Sequence, residues 1–164
     1  MSALASHAQQ LAEIRSRILN LLLNNNDLVD TLLERPHNET ALEKQTVEAQ
    51  TDEIKQSITL LHAADLADIL EALPEDERLA LWRLIDNEER GQVLVEASES
   101  VWESLIEEMS DKAILQAIEP LDIDDQAYLV KYLSRDLTGR LLTSLEPGQR
   151  AHVLNMMHFD RDGV

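Results

Sequence analysis

The sequence predicts an all-α protein: a superhelical array of short helices with a twelve-residue repeat, preceded by an N-terminal helical extension. Three columns of residues and the composition carry that prediction. Reading every twelfth residue from Leu61 gives Leu73, Ile85, Ala97, Met109, Leu121, Leu133, Leu145 and Met157, with no polar residue among them. Eight places beyond each leader stand Ile69, Leu81, Val93, Leu105, Ala117, Leu129, Leu141 and Val153. One place further come Leu70, Trp82, Leu94, Ile106, Ile118, Val130, Leu142 and Leu154. With 44% apolar residues overall, chance would leave about half of these positions polar, and none is. The composition agrees: four Gly, four Pro and few aromatic residues suit helices rather than a sheet-based enzyme fold.

The extension comes first, over residues 1–54. Leu4, His7, Leu11, Ile14, Ile18 and Leu21 are spaced alternately by three and four, which predicts a helix with a narrow seam. That seam suits packing on the array or, alternatively, on a second copy of the chain. Asn24, Asn25 and Asn26 end the helix, and Asp27 is expected to cap a second short one through Leu28, Val29, Leu32 and Leu33. Pro36 breaks the chain. Thr40 and Glu43 form a capping-box pattern for a third segment, polar until Ile54 and Ile58, that leads into the array.

The array follows over residues 55–158. Within a unit the apolar places are the eighth, ninth and twelfth, often joined by the fifth (Leu66, Trp102, Ile114). These share one face of a helix, whereas the adjacent apolar pairs break the alternation a strand needs. Asp86, Ser98, Ser110, Asp122 and Ser134 follow their leaders directly and are expected to be N-caps, Asp86 in a box with Glu89. Glu146 and Pro147 fit a cap and a first helical position. Each unit is thus a helix of roughly nine or ten residues and a short turn, too short to stand alone and stabilised by burying its stripe against neighbours. Small residues at the sixth place (Ala67, Gly91, Ala127, Gly139, Ala151) either let helices cross closely or fill tight core space. Pro74 and Pro120 fall at unit joints, where proline is tolerated. Residues 159–164 leave the pattern, with Phe159 a possible closing plug. An array that stops so near its last helix reads as one part of a longer chain.

Charge is the second large signal. Thirty-two acidic residues face fourteen basic ones, a formal charge of −18. Nine acids and five bases precede residue 61, so −4 lies before that residue and −14 from it onward. Such a field repels phosphate backbones and argues against nucleic acid; it favours divalent cations or basic partners. The bland alternative for most single carboxylates is a solvated face. The chain has no cysteine, which excludes disulfides, thiolate metal sites and cysteine nucleophiles. No run of apolar residues is long enough to span a bilayer and no signal-peptide pattern opens the chain, so the polypeptide itself is expected to be soluble.

Enzyme signatures are absent: no glycine-rich phosphate loop, no G-x-S-x-G and no H-E-x-x-H. His152 and His158 are six apart and do not share a helix face. Trp82 and Trp102 occupy stripe positions and are expected in the core. Asp65 and Asp68 are expected to be a solvated pair. The strongest stretch is Asp122-Ile123-Asp124-Asp125, opening a helix. Capping and the helix dipole account for one carboxylate. The surplus either presents oxygens to a hard cation such as Mg²⁺ or is simply solvated.

Residues 61–74, Leu-His-Ala-Ala-Asp-Leu-Ala-Asp-Ile-Leu-Glu-Ala-Leu-Pro, resemble the opening of the cytosolic N domain of MgtE-type magnesium transporters. The twelve-residue rhythm matches that domain, and Phe159-Asp160-Arg161-Asp162 resembles the short acidic joint to the family's CBS domains. The resemblance covers about residues 55–164, with 159–164 as the start of that joint. It implies a regulatory, Mg²⁺-sensing domain of a homodimeric magnesium channel, whose partners are the CBS domains and transmembrane domain of the same transporter. In the full-length protein it would lie at the cytoplasmic face of the inner membrane. Mg²⁺ bound between N and CBS domains would hold the closed form, and repulsion between acids would separate the domains when Mg²⁺ is scarce. The family's late acidic turn falls on Asp124, with Asp125 and Asp122 beside it. One turn on, where the family can carry another acid, stands Tyr128; near a further family acid stands Gln92, with Glu88 and Glu89 close by. Mg²⁺ binding to this chain alone is expected to be weak or absent, because half the ligands belong to the CBS side. The rival reading is a helical-repeat interaction scaffold, like the middle region of flagellar rotor switch proteins, indifferent to Mg²⁺.

Overall fold

A computed structural model describes the backbone of residues 3–161 and the side chains of 5–143 and 145–155. Among these residues the chain forms eleven α-helices and no strand. The extension is α1 (Ala3–Leu23), α2 (Asn26–Leu32) and α3 (Ala41–Ile58). The array is α4 (Ala63–Ala72), α5 (Glu75–Leu84), α6 (Asn87–Glu96), α7 (Glu99–Glu107), α8 (Asp111–Ile118), α9 (Ile123–Val130), α10 (Arg135–Ser144) and α11 (Pro147–Arg161). Helix α3 runs unbroken through residues 54 and 55, and α11 carries the helix on through residues 158–161. Leu4, the Met157 and Phe159 side chains and Asp162 lie outside the described residues, and with them the expected closing plug.

The repeat columns build most of the core, although Leu154 of the ninth column is exposed. Every residue of the eighth column, from Ile69 to Val153, is buried. Trp82 and Trp102 are 3% and 2% exposed, as stripe residues should be. Burying such a side chain is worth about 1.5–3 kcal/mol, which is how helices of eight to ten residues hold their shape. Most of the tight packing is next-but-one: α4 on α6, α6 on α8, α8 on α10, α5 on α7 and α9 on α11. Where α6 crosses α8, a Cβ on Gly91 would overlap the carbonyl oxygen of Ala117, so close crossing is the reason for glycine there. Ala67 and Ala127 are buried, but Gly139 meets nothing within 4 Å and Ala151 is exposed. The sixth place is therefore small for two different reasons, and for no steric reason at Gly139.

The caps divide similarly. Asp86, Ser98, Ser110, Asp122 and Ser134 all occupy N-cap positions with extended backbone. Only Ser110, Asp122 and Ser134 accept a bond from the first turn, at 3.2, 2.9 and 3.2 Å. The Asp86 carboxylate instead supports the charge of Arg90, and the Ser98 hydroxyl lies 3.4 Å from that of Ser100. The expected Asp86–Glu89 box is thus not closed from Asp86. At α2 the expected cap, Asp27, is inside the first turn; Asn25 holds the N-cap position, its amide donating to the Leu21 carbonyl and its oxygen accepting from Gln50. Asp65 and Asp68 are not a solvated pair either. Asp65 accepts the His62 N–H at 3.0 Å, and Asp68 pairs with Arg15 of α1 at 2.9 Å.

The fifth column holds a device that apolar periodicity hides. Where it is not Leu66, Trp102 or Ile114, its side chain reaches back to carbonyls at the end of the preceding helix. Arg78 Nε donates to the Leu70 carbonyl at 2.9 Å and a terminal nitrogen to Leu73 at 3.1 Å. Arg150 makes the same pair with Leu142 and Leu145, at 2.8 and 3.1 Å. Arg90 reaches Trp82, Gln126 reaches Ile118 and Glu119, and Thr138 touches Val130 at 3.5 Å. The last carbonyls of a short helix lack the usual partner four residues on. Those of Leu70, Trp82, Ile118, Val130 and Leu142 keep only a tighter bond from the N–H three residues on, and a donor one unit along adds a second bond and links the units.

The seam of α1 packs on its own chain: Ile18, Leu21 and Leu22 are buried, Leu11 and Ile14 lie against the core, and His7 is exposed. The helix meets α2, α3 and α5, which joins the extension to the array.

Candidate functional site

The turn between α8 and α9 brings Asp122, Asp124 and Asp125 to the head of α9, and each carboxylate has a different task. Asp122 caps the helix through the Asp125 N–H. Asp124 is 77% exposed and lies 3.3 Å from His152 Nε2 of α11. The Asp125 carboxyl is pushed above the usual carboxylate range, first by partial burial and then by the charges of Asp122, Asp124 and Glu96. Its hydrogen bond with Asp122 acts in the same direction. Crowded like charges with no cation among them are costly, and a cation or a proton relieves that cost.

Two neighbours of this turn escape sequence reasoning. His152 stands 28 residues from Asp124, and Glu96 belongs to α6. Next-but-one packing of α9 on α11, and contact of α6 with α9, put them there. Sequence periodicity gives which face is buried but not which helices meet.

Tyr128 stands one turn beyond Asp124, 36% exposed, its ring 5.8 Å from Tyr132 and 4.8 Å from the Lys131 ammonium. Tyr132 in turn meets Trp102 edge-on at 4.6 Å. The position is therefore built as an aromatic step with a cation over it, chemically opposite to an acid. Gln92, Glu88 and Glu89 are exposed on α6. Among the described residues no three His, Asp or Glu side chains converge as a metal cage. What the head of α9 offers is an edge of hard carboxylate oxygens.

The family described as the MgtE intracellular N domain matches residues 61–162. The chain belongs to that family. The match opens on Leu61, the first leader of the repeat, and covers the whole helical array and the acidic head of α9. The MgtE family is one of magnesium transporters rather than of enzymes, and its N domain is cytosolic. No helix among the described residues is long and apolar enough to cross a membrane. No curated protein matches the chain.

Proposed function

We propose that this MgtE N domain senses Mg²⁺ and regulates the pore of the transporter it serves, by docking and undocking an acidic surface centred on the head of α9. The observation that carries the reading is the Asp125 carboxyl, held up by burial and by the charges of Asp122, Asp124 and Glu96. Asp124 and Asp125 supply carboxylate oxygens of the kind Mg²⁺ accepts alongside its retained waters. Asp122, already engaged as the cap, contributes mainly charge. The remaining ligands would come from the CBS domains of the same transporter, within a homodimer at the cytoplasmic face of the inner membrane. Mg²⁺ favours the docked state by as much as it binds that state better than the open one. When the ion is scarce, a chain of net charge −18 is driven away from any other acidic surface.

The experiment is a Mg²⁺ titration of the chain followed by amide NMR, repeated with a CBS-containing transporter fragment. Residues 122–125 are expected to shift ahead of the other acids, weakly for the chain alone and at lower concentration with the fragment. Small uniform shifts over all acidic residues in both arms would leave only a screened surface, and tight binding to another protein without regard to Mg²⁺ would favour an interaction scaffold.

A further inference from the structure

The loop between α2 and α3 turns on a single imidazole. His37 Nδ1 lies 2.9 Å from the Arg35 carbonyl oxygen, and Nε2 lies 3.1 Å from Glu39 Oε2 and 3.3 Å from Thr31 Oγ1. A carbonyl only accepts, so Nδ1 carries a hydrogen in either charge state. Nε2 is the atom that changes. Protonated, it donates to the Glu39 carboxylate; deprotonated, it turns a lone pair toward that negative charge. The His37 and Glu39 side chains are 18% and 15% exposed, so water softens the difference only in part.

The same loop grips the array. Arg35 forks onto both Asp76 oxygens of α5 at 3.0 and 3.1 Å, and its N–H donates to the Asp30 carbonyl at 2.8 Å. Arg83 of α5 donates to the Leu32 carbonyl at the end of α2. Glu34 adopts a left-handed backbone with φ of 58°, which turns the chain sharply between helix and loop. His37 therefore touches α2 through Thr31, the approach to α3 through Glu39, and the residue that holds α5 through the Arg35 carbonyl.

We propose that His37 is a proton-operated clasp on the loop that fastens the N-terminal extension to the helical array: the protonated ring locks the α2–α3 loop through Glu39, and loss of its proton loosens that loop, which carries the Arg35 that holds α5. The charges that act on the ring are Glu39 in the loop and Asp27 in α2, both negative, while the Arg35 guanidinium is committed to Asp76. The Arg35 carbonyl first, and then the Glu39 carboxylate, raise the proton affinity of the ring above the ordinary histidine value. A folded pKa raised in this way gives stability that is complete below the unfolded value of about 6.5. It is lost as pH rises through the folded value. The grip is strongest in mild acid. His37 and the rest of the α2–α3 loop lie outside residues 61–162, and the proposal does not depend on the Mg²⁺ reading.

The test uses the 164-residue chain. Imidazole NMR should show His37 titrating at higher pH in the folded chain than in urea, with the midpoint falling in Glu39→Gln. Hydrogen exchange, corrected for its intrinsic pH dependence, should show amides of α2 and the 33–40 loop opening severalfold more readily above the His37 midpoint than below it. That difference should vanish in His37→Gln, with circular dichroism showing that the variant keeps its helices. Should His37→Gln fail to fold, Glu39→Gln carries the same comparison. A ring that titrates alike folded and unfolded, or a pH effect on loop opening that survives both variants, overturns the clasp.

Discussion

Gly91 of α6 lies under the backbone carbonyl of Ala117 in α8, with Leu121 Cδ2 3.1 Å from the point where a Cβ would stand. Helix propensity favours alanine there by about 1 kcal/mol. Contact opposes it, since α6 is also packed on α4 and α9 and has no direction in which to retreat. Overpacking costs of about 1–3 kcal/mol outweigh the propensity gain. Gly91→Ala should therefore lower the urea midpoint. Gly139→Ala, inside α10 with nothing within 4 Å, should raise it, adding about 0.5–1 kcal/mol of stability. Equal effects at the two glycines would mean that the α6–α8 crossing is not close.

Arg78 and Arg150 occupy the same place in units six apart, and each ties two carbonyls of the helix before it. Methionine keeps most of the aliphatic stem and removes the donors. Arg150→Met leaves the Leu142 and Leu145 carbonyls without that donor, at an expected cost of about 1–3 kcal/mol in chemical denaturation. Thr138→Val, whose 3.5 Å contact with Val130 is at the limit of a hydrogen bond, should cost distinctly less.

These two cases show where sequence reasoning stops. A buried column needs only an apolar residue at a fixed spacing, so the eighth column was readable in full. Arg78, Arg90, Gln126 and Arg150 stand in a column that looks half polar, and polarity there signals a carbonyl partner one helix back rather than solvent. That partner is defined by the turn between units, which spacing does not describe. The same holds at the head of α9. Its three aspartates are evident in the sequence, but His152 and Glu96 reach it through α11 and α6, and which helices meet is a property of the superhelix. At α2, Asn25 holds the N-cap position in place of Asp27 without a side-chain cap bond; its amide serves Leu21 and Gln50 instead, the second distant in sequence.

The division of labour among the three aspartates is testable through stability alone. Asp122→Ala removes the acceptor of the Asp125 N–H and should cost about 1 kcal/mol. Asp124→Ala loses only an exposed contact with His152 and should change stability by well under that. Thermal unfolding of the two variants at neutral pH decides it: if Asp124→Ala is the worse of the two, Asp122 is not the structural member.

Asp125 gives the opposite sign. Its carboxyl is raised by burial and by Asp122, Asp124 and Glu96, so the folded chain holds the proton more tightly than the unfolded one. Ionised Asp125 therefore subtracts from stability once pH exceeds its unfolded value, and the loss is complete above the folded one. Asp76 behaves inversely: the Arg35 fork lowers its carboxyl, so it adds stability at neutral pH that disappears as pH falls through its folded value. The Asp76–Arg35 pair is half exposed, so solvent screening keeps its contribution small. Asp125→Asn should then raise the melting temperature at pH 7 and lose that advantage in acid, whereas Asp76→Asn should lower it at pH 7 and converge on the parent in acid. Adding Mg²⁺ separates relief of charge from mere removal of charge. If the ion acts at the head of α9, it should stabilise the parent chain more than Asp125→Asn, because the substitution has already taken away part of the repulsion that the ion offsets. Identical Mg²⁺ responses in the two proteins would place the ion elsewhere on the acidic surface.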